Sequence, residues 1–176
     1  MIKIIATDMD GTLLDDNKQL PADFREMLDI TSELGIRFVI ASGRSYSALT
    51  YLFEDMCEKL DFICDNGAYM IVGGKAYEPS IINSDRVTEI IRTCEEIGNT
   101  SPVLCGENGI YYPASAKEQF RKEVNNFYIN FTAVDSLYDV KDNIFKIAVC
   151  DILNPVNNCY PAMLEKFGRE FSLQVS

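Results

Sequence analysis

The sequence predicts an α/β protein in two parts: a parallel sheet with helices over residues 1–82, then a smaller α+β domain over residues 83–176. Three observations predict it. Apolar runs at residues 2–6, 36–41 and 62–64 alternate with stretches of helical spacing, the order expected of βαβ units. Each run is followed by small or polar residues, at the sheet end where parallel sheets place ligands. Beyond Glu78-Pro79-Ser80-Ile81-Ile82-Asn83 the alternation changes character, which marks a linker.

Ile2, Ile4, Ile5 and Ala6 read as a strand apolar on both faces, as a central parallel strand is. Asp8 and Asp10 follow at its carboxyl end. Residues two apart in an extended chain point to one side, so both carboxylates can face one site, and Gly11 lets the backbone turn behind them. The plain alternative is an Asp-Gly turn. Residues 15–20 are polar and turn-like. Pro21 suits a first helical turn, and Phe24, Met27, Leu28 and Leu34 keep helical spacing until Gly35. The second strand ends at Ser42-Gly43-Arg44. A helix begins near Ser45, and its N-terminus favours an anion. Ser42 also reads as a turn or cap residue, and Arg44 as a surface arginine. The third strand ends at Asp65-Asn66-Gly67-Ala68, and residues 69–72 and 75–78 form a hairpin about Gly73-Gly74.

In the second part, Val87, Ile90, Ile91, Cys94 and Ile97 share a helical face capped by Ser84 or Asp85 and closed by Gly98. Residues 103–105 and 110–112 form a hairpin. Ser115-Ala116-Lys117-Glu118 reads as a capping box ahead of a helix with Phe120, Val124 and Phe127. Residues 144–151 read as a strand, Pro161 starts a helix with Met163, Leu164 and Phe167, and residues 171–175 start a further strand. The small sheet is expected to be antiparallel.

Composition narrows the function. A net charge of −11 repels phosphate backbones and argues against nucleic acid as a partner. There is no run of 18 apolar residues, so no membrane helix is expected, and no charged leader precedes the first strand. The chain has no histidine, and its six cysteines form no Cys-x-x-Cys pair, which argues against zinc and against Ser-His or Cys-His nucleophiles. Cysteines inside apolar runs fit buried thiols in a reducing cytoplasm.

Asp8-Met9-Asp10-Gly11-Thr12 after an apolar strand resembles the first motif of the haloacid dehalogenase (HAD) superfamily of phosphohydrolases. Ser42-Gly43 after the second strand resembles its second motif. Asn66-Gly67-Ala68 and the hairpin that follows resemble the Cof-like branch, whose α/β cap is inserted in a Rossmann-like core and selects the substrate. The resemblance implies Asp8 as nucleophile and Asp10 as acid and base, with a raised carboxyl pKa. It implies Met9, Gly11, Thr12, Ser42 and Gly43 around the phosphoryl group, and Arg44, Asn66 and Gly67 near the substrate. Residues 15–20 become a flap beside the site. Mg2+ is implied on Asp8 and Asp10, and a small phosphorylated metabolite as substrate.

Two family motifs are not found: the lysine that offsets phosphoryl charge, and the acidic cluster that completes the metal site. Lys59 and Lys75, the lysines after the second motif in the first part, do not sit where the family places its own. The expectation is a fragment of a longer Cof-like protein, whose first strand is an uncovered apolar edge open to self-association. Other readings are a sugar phosphomutase, a non-catalytic remnant that binds a metabolite or partner, and, least fitting, a signalling receiver domain.

Overall fold

A computed structural model describes residues 1–128 and 130–175 of the chain. They form two compact units, Met1–Ser80 and Ile81–Ser176. The break falls two residues before the expected boundary, because Ile82 already donates its amide to the Ile144 carbonyl at 2.7 Å.

The first unit holds one sheet in the order β1-β2-β3-β4-β5. Its strands are β1 Ile4–Asp8, β2 Arg37–Ala41, β3 Leu60–Cys64, β4 Tyr69–Val72 and β5 Lys75–Tyr77. β1, β2 and β3 are parallel, with Asp8 opposite Ala41 and Ala41 opposite Ile63. β4 and β5 return antiparallel. Gly73 and Gly74 carry φ of 58° and 72°, the left-handed pair that a two-residue hairpin turn requires.

Helices α1 Phe24–Glu33 and α2 Tyr46–Phe53 carry the parallel crossovers. Phe24, Leu28, Leu49 and Phe53 pack on Phe38, Ile40, Leu60 and Phe62, all on one sheet face. Residues paired across a sheet share a face. Ile4, Ala6 and Val39 therefore lie on the other face. β1 is an edge strand, and its exposure alternates along its length, with Ile4 58% exposed. A first strand buried on both faces is thus not what forms: one face of β1 meets the core and the other does not. Leu34, expected inside, is also exposed, because α1 ends before it.

The second unit has a four-stranded sheet in the order β8-β7-β6-β9. Its strands are β6 Thr100–Gly106, β7 Ile110–Pro113, β8 Phe131–Val134 and β9 Ile144–Asp151. Its helices are α3 Ser84–Ile97, α4 Glu118–Phe127 and α5 Cys159–Phe167. The side chain of Phe127, expected with Phe120 and Val124 on α4, lies outside those described. β7 and β8 are parallel, so the sheet is mixed rather than antiparallel. β8 was not expected: its four residues are too short and too mixed in burial to signal a strand. Residues 171–175 form no strand, since Phe171 and Leu173 pack as a loop on Met163 and Phe167. α5 starts two residues before Pro161 and leaves Leu164 half exposed.

Two caps differ from expectation. Ser115 does not cap α4. Ala116 donates its amide to the Pro113 carbonyl and Ala114 to Val134, which holds this segment to the sheet until Glu118. α3 is capped not by Ser84 or Asp85 but by Asn83, whose Oδ1 accepts from the Asp85 amide at 2.9 Å. Asn83→Ala leaves that amide without its partner. A loss of about 1 kcal/mol is expected for the second unit, read as a lower urea midpoint at unchanged slope.

Candidate active site

Three loops leave the carboxyl ends of β1, β2 and β3, side by side by register. This is the end of an open parallel sheet where ligands bind.

The first loop is folded on one acceptor. The Met9 carbonyl takes the amides of Thr12, Leu13 and Leu14 at 3.3, 3.0 and 2.9 Å. Gly11 turns this loop with φ of 78°. Met9 is wholly buried in the core beside Leu14, and its carbonyl is taken up by the loop, so it shapes the site without facing a ligand. The Thr12 amide is already committed, at long distance, to Met9. Asp8 ends β1 exposed, and among the described residues no group bonds its carboxylate.

Asp10 is held differently. Arg44 grips it with two bonds, Nε to Oδ2 at 3.1 Å and Nη2 to Oδ1 at 2.8 Å. Lys18 adds a third, Nζ to Oδ1 at 2.9 Å. The Arg44 guanidinium, helped by Lys18 and opposed by partial burial, holds the Asp10 carboxyl below its usual range. The raised pKa expected of an acid catalyst is therefore absent here. Two cations stabilise the ionised form, and they outweigh desolvation.

The second and third loops are stitched together. Ser42 donates its amide to the Ile63 carbonyl at 2.9 Å and accepts from the Asn66 amide at 3.2 Å. Asp65 donates its amide to the Arg44 carbonyl at 3.0 Å. Asp65, Asn66 and Gly67 follow one another at positive φ of 51°, 60° and 93°. Such a run is sparsely populated for side-chain-bearing residues, though Asp and Asn tolerate it best. Gly43 lies against Asn66: a Cβ there would stand 2.7 Å from Asn66 Oδ1. A side chain at this position would have to displace the Asn66 carboxamide.

Ser42 is buried at 8% exposure, and its Oγ accepts from the Arg44 amide at 3.2 Å. Accepting that bond leaves the hydroxyl proton free to be donated. Ser45 caps α2, its Oγ accepting from the Ala48 amide at 3.4 Å. The cap role open to Ser42 in the sequence thus belongs to Ser45.

The structure gathers Asp10, Ser42, Gly43, Arg44, Asn66 and Gly67 around these linked loops, with Asp8 two residues from Asp10 on the same strand end. Two further residues join these loops without a motif to mark them. Asp65 is buried at 3% exposure where the third loop turns, and its signal was only the Asp-Asn-Gly turn. Lys18 reaches Asp10 from the flap, and no single-sequence pattern gives that contact. The donor set suits a hard cation: Asp8 offers a carboxylate, and Asp10 is the next exposed residue, with a backbone carbonyl to offer. Magnesium needs only one or two carboxylates together with water and substrate phosphate. Among the described residues, no cluster of three or more acidic or thiol groups forms a complete metal cage. No described helix is long and apolar enough to cross a membrane.

The family model for haloacid dehalogenase-like hydrolases matches residues 5–176. The chain is similar to the 5-amino-6-(5-phospho-D-ribitylamino)uracil phosphatase YbjI of Escherichia coli (strain K12). They are 27% identical over 149 residues, 84% of this chain and 55% of that protein. It is similar to phosphatase YwpJ of Bacillus subtilis (strain 168), 29% identical over 127 residues, 72% of this chain and 44% of that one. A solved structure from Streptococcus mutans UA159 superposes with a TM-score of 0.81 at 28% identity, covering 98% of this chain and 64% of that chain. The chain spans about half the length of the curated relatives it matches. With the Asp-x-Asp strand end, the serine loop beside it and a family match over nearly its whole length, the chain belongs to the haloacid dehalogenase-like hydrolases, in their Cof-like branch.

Proposed function

We propose that the chain is a Mg2+-dependent phosphohydrolase of small phosphorylated metabolites. One observation carries this: Asp8 stands unengaged at the end of β1 while Asp10, two residues on, is neutralised by two cations. An open carboxylate in a locally neutral setting is what a nucleophile for a phosphate ester needs. The Asp8 carboxylate attacks phosphorus and the ester C–O–P link breaks at the P–O bond. The departing alkoxide takes a proton from Asp10, leaving an aspartyl-phosphate. Water then attacks that phosphorus, gives its proton to Asp10, and releases inorganic phosphate from Asp8. Arg44 and Lys18 favour the ionised form of Asp10, so its role as an acid calls for those contacts to loosen as the substrate enters. The Ser42 hydroxyl and the Gly11 and Gly43 region hold phosphoryl oxygens, with Arg44, Asn66 and Gly67 on the substrate side. Asp8 and the Asp10 carbonyl would hold Mg2+, and the ion would supply charge neutralisation at the phosphoryl oxygens.

Substrates of the sugar-phosphate kind are favoured, because the named substrate of the Escherichia coli relative is a phosphorylated ribityl compound. A cytoplasmic setting is supported by cysteines that form no disulfide. The uncovered edge of β1, rimmed by exposed Ile2 and Ile4, favours self-association. A second reading is a binding remnant without turnover, favoured by the incomplete acidic set among the described residues. Hydrolysis of p-nitrophenyl phosphate separates the two. Turnover that stops with EDTA and returns with Mg2+ is expected. A folded chain with no turnover at any Mg2+ concentration supports the remnant.

A further inference from the structure

The flap after the first motif forms a closed loop. The Asp15 amide donates to the Gln19 carbonyl at 3.1 Å, and the Lys18 amide donates to the Asp15 carbonyl at 2.9 Å. The Asp15 carboxylate accepts from the amides of Asn17 and Gln19 at 2.9 and 2.8 Å. Lys18 occupies the tip with φ of 61°. Asp15 therefore fixes the direction in which Lys18 leaves the loop, and that direction leads to Asp10.

Arg44 and Lys18 come from separate loops and share one oxygen, Asp10 Oδ1. Together with Asp8 and Asp10 they make a formally neutral group in a chain of net charge −11. Without Lys18 the group is negative, and a phosphate dianion would be repelled. The two cations are not equivalent. Arg44 matches the carboxylate with two parallel bonds, whereas Lys18 makes one, from a side chain that is 62% exposed. An exposed single ion pair is weakly held, and a lysine ammonium swings on a flexible stem. A phosphoryl oxygen offers it a stronger charge-assisted bond than a carboxylate already shared with an arginine.

We propose that Lys18 is a phosphate-anchoring residue, releasing Asp10 to bind a phosphoryl oxygen when a phosphate monoester enters. The inference rests on the phosphohydrolase reading.

The test is titration of the intact chain with inorganic phosphate, followed by calorimetry, alongside p-nitrophenyl phosphate kinetics. Lys18→Met is expected to weaken phosphate binding about tenfold and raise KM similarly, with Lys18→Arg recovering much of the loss. Lys59→Met, which removes a lysine paired with Asp29 on the surface, is expected to leave both unchanged. Equal phosphate affinity in Lys18→Met and the unmodified chain overturns the proposal. So does an unmodified chain that binds no phosphate. The underlying reading fails by a different result, turnover that survives Asp8→Asn. Turnover lost in Asp8→Asn but intact in Lys18→Met removes only the role of Lys18.

Discussion

Asp8→Asn is expected to lower p-nitrophenyl phosphate turnover by about a thousandfold or more, with circular dichroism and urea midpoint unchanged. The amide keeps the shape of the carboxylate but offers no anionic oxygen to phosphorus. Loss of a nucleophile removes the covalent route altogether, and such losses reach six orders of magnitude elsewhere. Stability is spared because no described group bonds the Asp8 carboxylate. Asp10→Asn differs in kind. It breaks the bonds from Arg44 and Lys18, so its effect on turnover mixes proton transfer with loop position. Asp8→Asn is the cleaner measurement, and turnover within a few fold of the unmodified chain would contradict the proposed mechanism.

Phe53→Ala carries the largest expected cost in stability, about 3–5 kcal/mol. Phe53 is wholly buried at the end of α2. Its ring lies 5.8 Å from Phe24 of α1 and 5.9 Å from Phe62 of β3, and Phe24 meets Phe38 of β2 at 5.7 Å. One ring thus ties both crossover helices to the sheet. Small domains are stable by only about 5–15 kcal/mol, so the first unit loses much of its margin. The urea midpoint, followed at amides of β2 and β3 so that the first unit is read separately, is expected to fall by roughly 2 M. Tyr51→Ala, two residues earlier and 73% exposed, is expected to change stability by less than about 0.5 kcal/mol.

The sequence was most readable where one residue type serves one local geometry. Gly73-Gly74 announces its hairpin because few other pairs accept two left-handed residues. The Asp8-x-Asp10 and Ser42-Gly43 pairs stand at strand ends that periodicity alone locates. Long-range choices were not readable. Ile4 looks as buried as Ile40 in the sequence, and only sheet order makes the first an edge residue and the second a core residue. β8 is four residues long and pairs parallel with β7 across an intervening helix, which no local pattern signals. The raised pKa expected for Asp10 counted its neighbour Asp8 and could not count Lys18 and Arg44. Those groups are eight and thirty-four residues away and meet only after folding.

The wiring of the first sheet orders its assembly in time. β3, β4 and β5 join through tight connections, and such local contacts close within microseconds. β1 must wait for a crossover through α1 before it finds β2, a costlier loop to close. It then has one neighbour, as β5 has, so its amides open before those of β2 and β3 when the native state breathes. The strand that presents Asp8 is therefore later to arrive and earlier to leave than the two parallel strands beside it. Any ligand seated on Asp8 acts as a kinetic clasp on that edge, slowing its opening.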